Sequence, residues 1–171
     1  MNQRGFTLIE LLVVLGIVIF LSGMIFVNYR AKGGEFSLQR AAYKLAQDIR
    51  RAAELAMSAR EFEGAVPMGG YGIHLKFPTE KTSYILYADE NGNEKYDAAD
   101  GIVETIFFEE GVEIKNIPQN DLSINFRPPN PKVKIGGDNN LPAATITLSL
   151  QSDASKTRAV RVNNVGLVEV E

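Results

Sequence analysis

Residues 1–27 read MNQRGFTLIELLVVLGIVIFLSGMIFV, and from Phe6 to Val27 the only charged side chain is Glu10. As a helix rising about 1.5 Å per residue, this run extends roughly 33 Å, enough for the hydrocarbon core of a bilayer. A charged side chain near the middle of a membrane helix is roughly 2.5–3.5 kcal/mol uphill. Glu10 therefore calls for a partner or a task. Arg4 and the α-amine precede the run, which keeps the short N-terminus cytoplasmic and sends the remainder outward. A secretory signal peptide would have an apolar segment of about 7–15 residues and a small-residue cleavage site. SGMIFVNYRAK (22–32) offers no such site. A plain signal anchor fits the length and leaves Glu10 unexplained.

The next segment keeps a helical period. Leu38, Ala42, Leu45, Ile49, Ala52 or Ala53, and Ala56 recur at steps of three and four, with Gln39, Gln47, Asp48, Arg51 and Glu54 on other faces. Its alanines favour helix and allow close packing on a sheet. Gly33-Gly34 interrupts the pattern, at about 1 kcal/mol per glycine relative to alanine. The reading is one helix from about 6 to 60 with a weak point at the glycines.

From residue 64 the period falls to two. YGIHLKF, TSYILYA, IVETIFF, VEIKNI, LSINF, KVKI, ATITLSL, RAVRV and GLVEV are short β-rich runs separated by Gly, Asn, Asp and Pro. RPPNPKV is too rich in proline for a central strand and belongs to a loop or an edge. Asn163-Asn164 falls in the turn of a final hairpin. One long helix followed by many strands is an α+β pattern, an antiparallel sheet packed on a helix.

The string RG-FTLIELLVVLGIVIFL resembles the N-terminal motif of type IV pilins and type II secretion pseudopilins. The resemblance implies a leader over 1–5 that ends in Gly5 and is cut before Phe6 by prepilin peptidase. Phe6 then becomes the N-methylated terminus, and Glu10 takes the place of the family's acid five residues into the mature chain. It also implies the pilin fold, with a transmembrane and filament-core helix over 6–30, an amphipathic continuation over 31–63 and a periplasmic β domain over 64–171. A physical role for Glu10 follows. Cleavage creates a cationic amine on Phe6 near the depth of the carboxylate, and in an array of helices the amine of one subunit can neutralise the acid of the next. Each charge then has a partner that an isolated helix lacks. Glu10 on this reading sets the register of assembly.

The soluble part resembles the GspH/FimT-like minor subunits, through YILYADENGNEKYDAADGIVETIFFEEGVEI and the closing KTRAVRVNNVGLVEVE. That resemblance implies a structural subunit of a type II secretion pseudopilus or a type IV pilus, with both systems left open. Its partners would be prepilin peptidase, sibling pilins and the inner-membrane assembly platform. The protein would cross the bacterial inner membrane once and then join a periplasmic or cell-surface filament.

Composition narrows the alternatives. The 171 residues carry a net charge of −3, or −4 without Arg4, which gives no overall attraction to nucleic acid. There is no cysteine, hence no disulfide framework and no thiolate metal site. His74 is the single histidine, read as an exposed residue on a strand's polar face, with no second member for a metal site or a triad. No G-x-S-x-G elbow, paired-carboxylate motif or phosphate-binding glycine loop is present, so the sequence supports no enzyme activity.

Two surface motifs are ambiguous. DENGNEKYDAAD places oxygen donors at Asp89, Asn91, Asn93, Asp97 and Asp100, steps one, three, five, nine and twelve of a calcium loop. Position six is Glu94 where a glycine is usual, and position twelve is the shorter Asp100. Asn-Gly with neighbouring acids also makes a hairpin loop without metal, so the expectation is a solvated loop and no cofactor, with Ca²⁺ as the alternative. Lys156, Arg158 and Arg161 form a basic cluster near the C-terminus. Some FimT-like pilins bind DNA through such a region, which makes a DNA-capturing tip subunit the alternative function. Glu169 and Glu171 on the returning strand would cancel much of that field, so the reading opposes nucleic acid as a partner.

Overall fold

The computed structural model describes residues 7–128 and 132–171, with backbone alone for 24–32 and Lys132. The expected leader, the cut between Gly5 and Phe6, and the methylated Phe6 lie outside the described residues. One helix, α1, runs Leu8–Met57 and includes Gly33 and Gly34. The chain divides into two compact units, 1–36 and 37–171. In the first, the described apolar side chains from Leu8 to Leu21 are exposed. Among the described residues no helix is long and apolar enough to cross a membrane, and part of the 6–30 span lies outside them.

The second unit holds the rest of α1 and nine strands: β1 Gly70–Lys76, β2 Ser83–Asp89, β3 Gly101–Phe107, β4 Val112–Asn116, β5 Asp121–Arg127, β6 Lys132–Ile135, β7 Ala143–Leu150, β8 Thr157–Asn163 and β9 Val168–Val170. The fold is α+β. The strands form two antiparallel sheets, ordered β3-β2-β1-β5-β6 and β4-β7-β8-β9, where the sequence suggested a single sheet. The strand after the proline-rich stretch, β6, lies at an edge of its sheet.

Leu38, Ala42, Leu45, Ile49, Ala52 and Ala56 line the buried stripe of α1 and join one core with the inner faces of both sheets, including Ile73, Leu86, Ile124, Ile146 and Val160. Polar ties flank the stripe. The Tyr84 hydroxyl donates to buried Asp48 at 2.6 Å, and Arg50 donates to the Val168 carbonyl at 2.7 Å.

The helix stops at Met57, so 58–63, expected as helix, is irregular, with a turn at 58–59 and a bridge from Phe62 to Ala65. The Arg60 amide bonds the Leu55 carbonyl and the Ala59 amide bonds the Ala56 carbonyl, with Ala59 at φ 46°. This is the Schellman arrangement, which usually places glycine at that residue. Alanine there hides the stop signal.

Candidate functional site

The start of α1 is built by a reciprocal pair. The Glu10 amide donates to Thr7 Oγ1 at 3.3 Å, and the Thr7 amide donates to Glu10 Oε2 at 3.4 Å. Thr7 precedes the first helical residue, and its carbonyl accepts the Leu11 amide. This is a capping box, in which residues Ncap and N3 satisfy each other's unpaired amides. Thr7-x-x-Glu10 before an apolar run was the signal for it in the sequence. Within one chain, then, Glu10 already has a partner for part of its hydrogen-bonding capacity.

The outer face of the first sheet is the other concentration of polar groups. Strand alternation turns Gly72 and His74 of β1, Ile85, Tyr87 and Asp89 of β2, and Ser123 and Asn125 of β5 away from α1. The loop 90–100 covers much of this face. Tyr96 packs its ring 4.7 Å from His74 and 5.3 Å from Tyr87. Gly72 makes room for this packing, since a Cβ there would sit 2.6 Å from the Tyr87 ring.

His74 is therefore buried, only 6% exposed, which corrects the expectation of a solvent-facing histidine. Burial lowers its pKa from 6.5 to about 4; Asp121 opposes that change and Lys76 adds to it. Its Nδ1 lies 3.1 Å from Ser123 Oγ, and Nε2 lies 3.9 Å from Asp121 Oδ1. A serine, a histidine and an aspartate thus meet, although the sequence offered no partner for His74. They do not make a nucleophilic triad. Ser123 is buried beneath the loop with its Oγ accepting the Tyr96 amide, and 3.9 Å exceeds a hydrogen bond.

The structure brings Asp89, Asn91, Asn93, Asp97 and Asp100 into one loop, where they satisfy each other and the backbone. Buried Asp89 accepts the Gly92 and Glu94 amides at 2.8 Å and the Asn125 side-chain amide at 3.3 Å. Asn91 and Asn93 both donate their amide hydrogens to Asp97. Asp100 accepts the Asp97 and Glu90 amides. In this arrangement Asn91 and Asn93 turn NH₂ groups toward Asp97, whereas a calcium shell takes oxygens. Among the described residues no group of three or more His, Cys, Asp or Glu side chains is placed to hold a metal ion.

Electrostatics follow the same contacts. Burial raises the Asp89 and Asp100 carboxyls, with backbone amides opposing. The Ala99 amide and the two asparagines lower Asp97. Glu94, at the usual glycine position, has φ 63°. Its carboxylate pairs with Arg127 at 3.2 Å and Lys134 at 3.4 Å. Burial works to raise its pKa, and those two cations overcome the effect and lower it.

Two members of the basic cluster, Arg158 and Arg161, face opposite sides of β8. Val160 and Val162 point into the core, so alternation places Arg158 on their side of β8 and Arg161 on the opposite side. Arg161 stands directly across from Glu169, and the Ala159 and Glu171 backbones pair beside them.

Residues 1–26 match the model of a prokaryotic N-terminal methylation motif. No curated protein and no solved structure matches the chain.

Proposed function

We propose that the chain is a prepilin-type structural subunit, a minor pilin or pseudopilin of the GspH/FimT-like kind, serving a type II secretion pseudopilus or a type IV pilus. The match of residues 1–26 to the methylation motif carries this reading. Prepilin peptidase cuts between Gly5 and Phe6, Phe6 is N-methylated, and the apolar run over 6–30 holds the subunit in the inner membrane before filament entry. The exposed apolar side chains of Leu8–Leu21 supply a surface that lipid or neighbouring helices would cover. Sibling pilins and the assembly platform are the partners.

The capping box gives Glu10 a second state. In a lone subunit its carboxylate holds the Thr7 amide; in an array it meets the Phe6 amine of a neighbour. Intact mass spectrometry of the membrane form tests processing, with loss of MNQRG and gain of one methyl group expected. Glu10→Gln then separates the two tasks. Glutamine still serves at the third position of a capping box but carries no charge. The variant should insert and cap its helix normally, yet enter filaments poorly. Normal incorporation of Glu10→Gln would refute the charge pairing.

A further inference from the structure

The outer-face cleft encloses about 760 Å³ between the loop 95–98, strands β1 and β5, and the short helical turn Gly137–Asn139. This falls in the size range of small-molecule sites. We propose that the cleft binds a neutral polyhydroxylated ligand, a short saccharide, held at its floor by one hydroxyl that bridges His74 and Asp121.

The floor supplies the reason. Ser123 Oγ accepts the Tyr96 amide at 3.1 Å, and we assign its own proton to His74 Nδ1, 3.1 Å away. The imidazole proton then sits on Nε2. No hydrogen bond meets Nε2 among the described residues, and Asp121 Oδ1 stands 3.9 Å away. That separation is too long for a direct bond. One oxygen hydrogen-bonded to both would hold them roughly 4.5 Å apart. The exposed Asp121 side chain reaches that separation by swinging outward, and the oxygen then accepts from Nε2–H and donates to the carboxylate. A hydroxyl does both with a single atom. His74 is nine-tenths buried, while the Asp121 side chain is 71% exposed, so the pair spans from floor to mouth.

The walls argue for a neutral ligand. Lys76 and Lys95 face the carboxylates of Glu80, Asp97, Asp121 and Asp138, and Lys95 pairs with Asp138 at 3.0 Å. The surplus of acids opposes an anion. An ammonium would suit those acids but has no lone pair to accept from Nε2–H, so the floor selects a neutral oxygen. Gln119 and Asn139 add amide groups, while Ile85, Ala98 and the Tyr96 ring supply the limited apolar surface that the C–H face of a sugar covers.

The test uses the full chain in phosphocholine micelles, without glycoside detergents, titrated separately with maltotriose, cellotriose, chitotriose and inorganic phosphate. Saturation-transfer NMR should show contact with at least one trisaccharide and none with phosphate, and the His74 ring resonances should move on titration. Asp121→Ala and His74→Phe should each weaken binding about tenfold or more. Asp121→Asn, which keeps an acceptor oxygen, should lose less. Absence of contact with all three sugars, preference for phosphate, or binding that survives both Asp121→Ala and His74→Phe would overturn the proposal. The outcome is independent of filament assembly, which none of these measurements reads.

Discussion

Replacing His74 by Phe should remove an acid-dependent loss of stability. The imidazole is buried neutral, with its pKa lowered from 6.5 to about 4, and the charged groups facing it are Asp121, Lys76, Lys95 and Asp97. A folded-state value below the unfolded one means that the unfolded chain binds the extra proton. Stability from the neutral imidazole is therefore complete above 6.5 and lost as pH falls toward 4. At about 1.36 kcal/mol per pKa unit the full loss is about 3 kcal/mol, of which about 2 kcal/mol has gone by about pH 5. Urea unfolding of the unit 37–171, followed by tyrosine fluorescence across this range, measures it. Phe keeps the ring against Tyr96 and loses the Ser123 hydrogen bond, so the variant should be the less stable near neutrality. The difference should shift in the variant's favour by about 3 kcal/mol on acidification. The carboxyls of Asp89 and Asp100, whose pKa values are raised, titrate in both proteins and drop out of the comparison. A stability difference that stays flat with pH would show that His74 does not carry this penalty.

Two further outcomes follow from the surface motifs. Chelating calcium should leave the melting temperature unchanged, because Asp89, Asp97 and Asp100 are already taken by amide donors; a large calcium-dependent rise would overturn this, since a ligand bound only to the folded state stabilises it. Asp89→Ala should cost roughly 3 kcal/mol in urea unfolding with or without calcium, by stripping the Gly92 and Glu94 amides of their acceptor. DNA binding by the unit 37–171 should be negligible near physiological salt. A working site at Lys156, Arg158 and Arg161 would instead give a log–log salt slope of roughly −2.7, lost in the triple alanine variant.

The strands were legible because a side chain of alternating polarity reports its own face, and the nine β-rich runs fall on the nine strands. Their division into two sheets was not legible, because pairing joins residues distant in sequence and no local period encodes it. The same limit hid the surroundings of His74. Its neighbours Ile73 and Leu75 mark the face packed on α1, which leaves His74 on the side a reader assigns to solvent. Tyr96, which covers it, comes from a polar loop on the far side of β2. Thr7-x-x-Glu10 carries the capping-box pattern in four residues, yet a charge in an apolar run also demands longer-range partners, and the pattern alone does not rank the two. Ala59 gave no warning that α1 ends, since the left-handed residue after a helix is usually glycine.

Glu10 and His74 present the same physical problem in different surroundings. Each is a polar group set among apolar neighbours, and each has only part of its hydrogen-bonding capacity met by its own chain. The capping bonds of Glu10 are long, 3.3–3.5 Å, and a carboxylate has room for further donors. His74 has one nitrogen bonded to Ser123 and one facing a carboxylate just beyond reach. Purely structural polar groups usually close their networks, as Asp48 does by taking Tyr84 and Lys44 together. Where the network stays open toward solvent or lipid, a second molecule can complete it and gain more than it would from a saturated surface. On the proposed readings the complement for Glu10 is a cation on a neighbouring helix, and for His74 with Asp121 it is a group that donates and accepts at one atom. The two proposed sites would then select partners by different chemistry, charge at one and a hydroxyl at the other, and either proposal can fail without affecting the other.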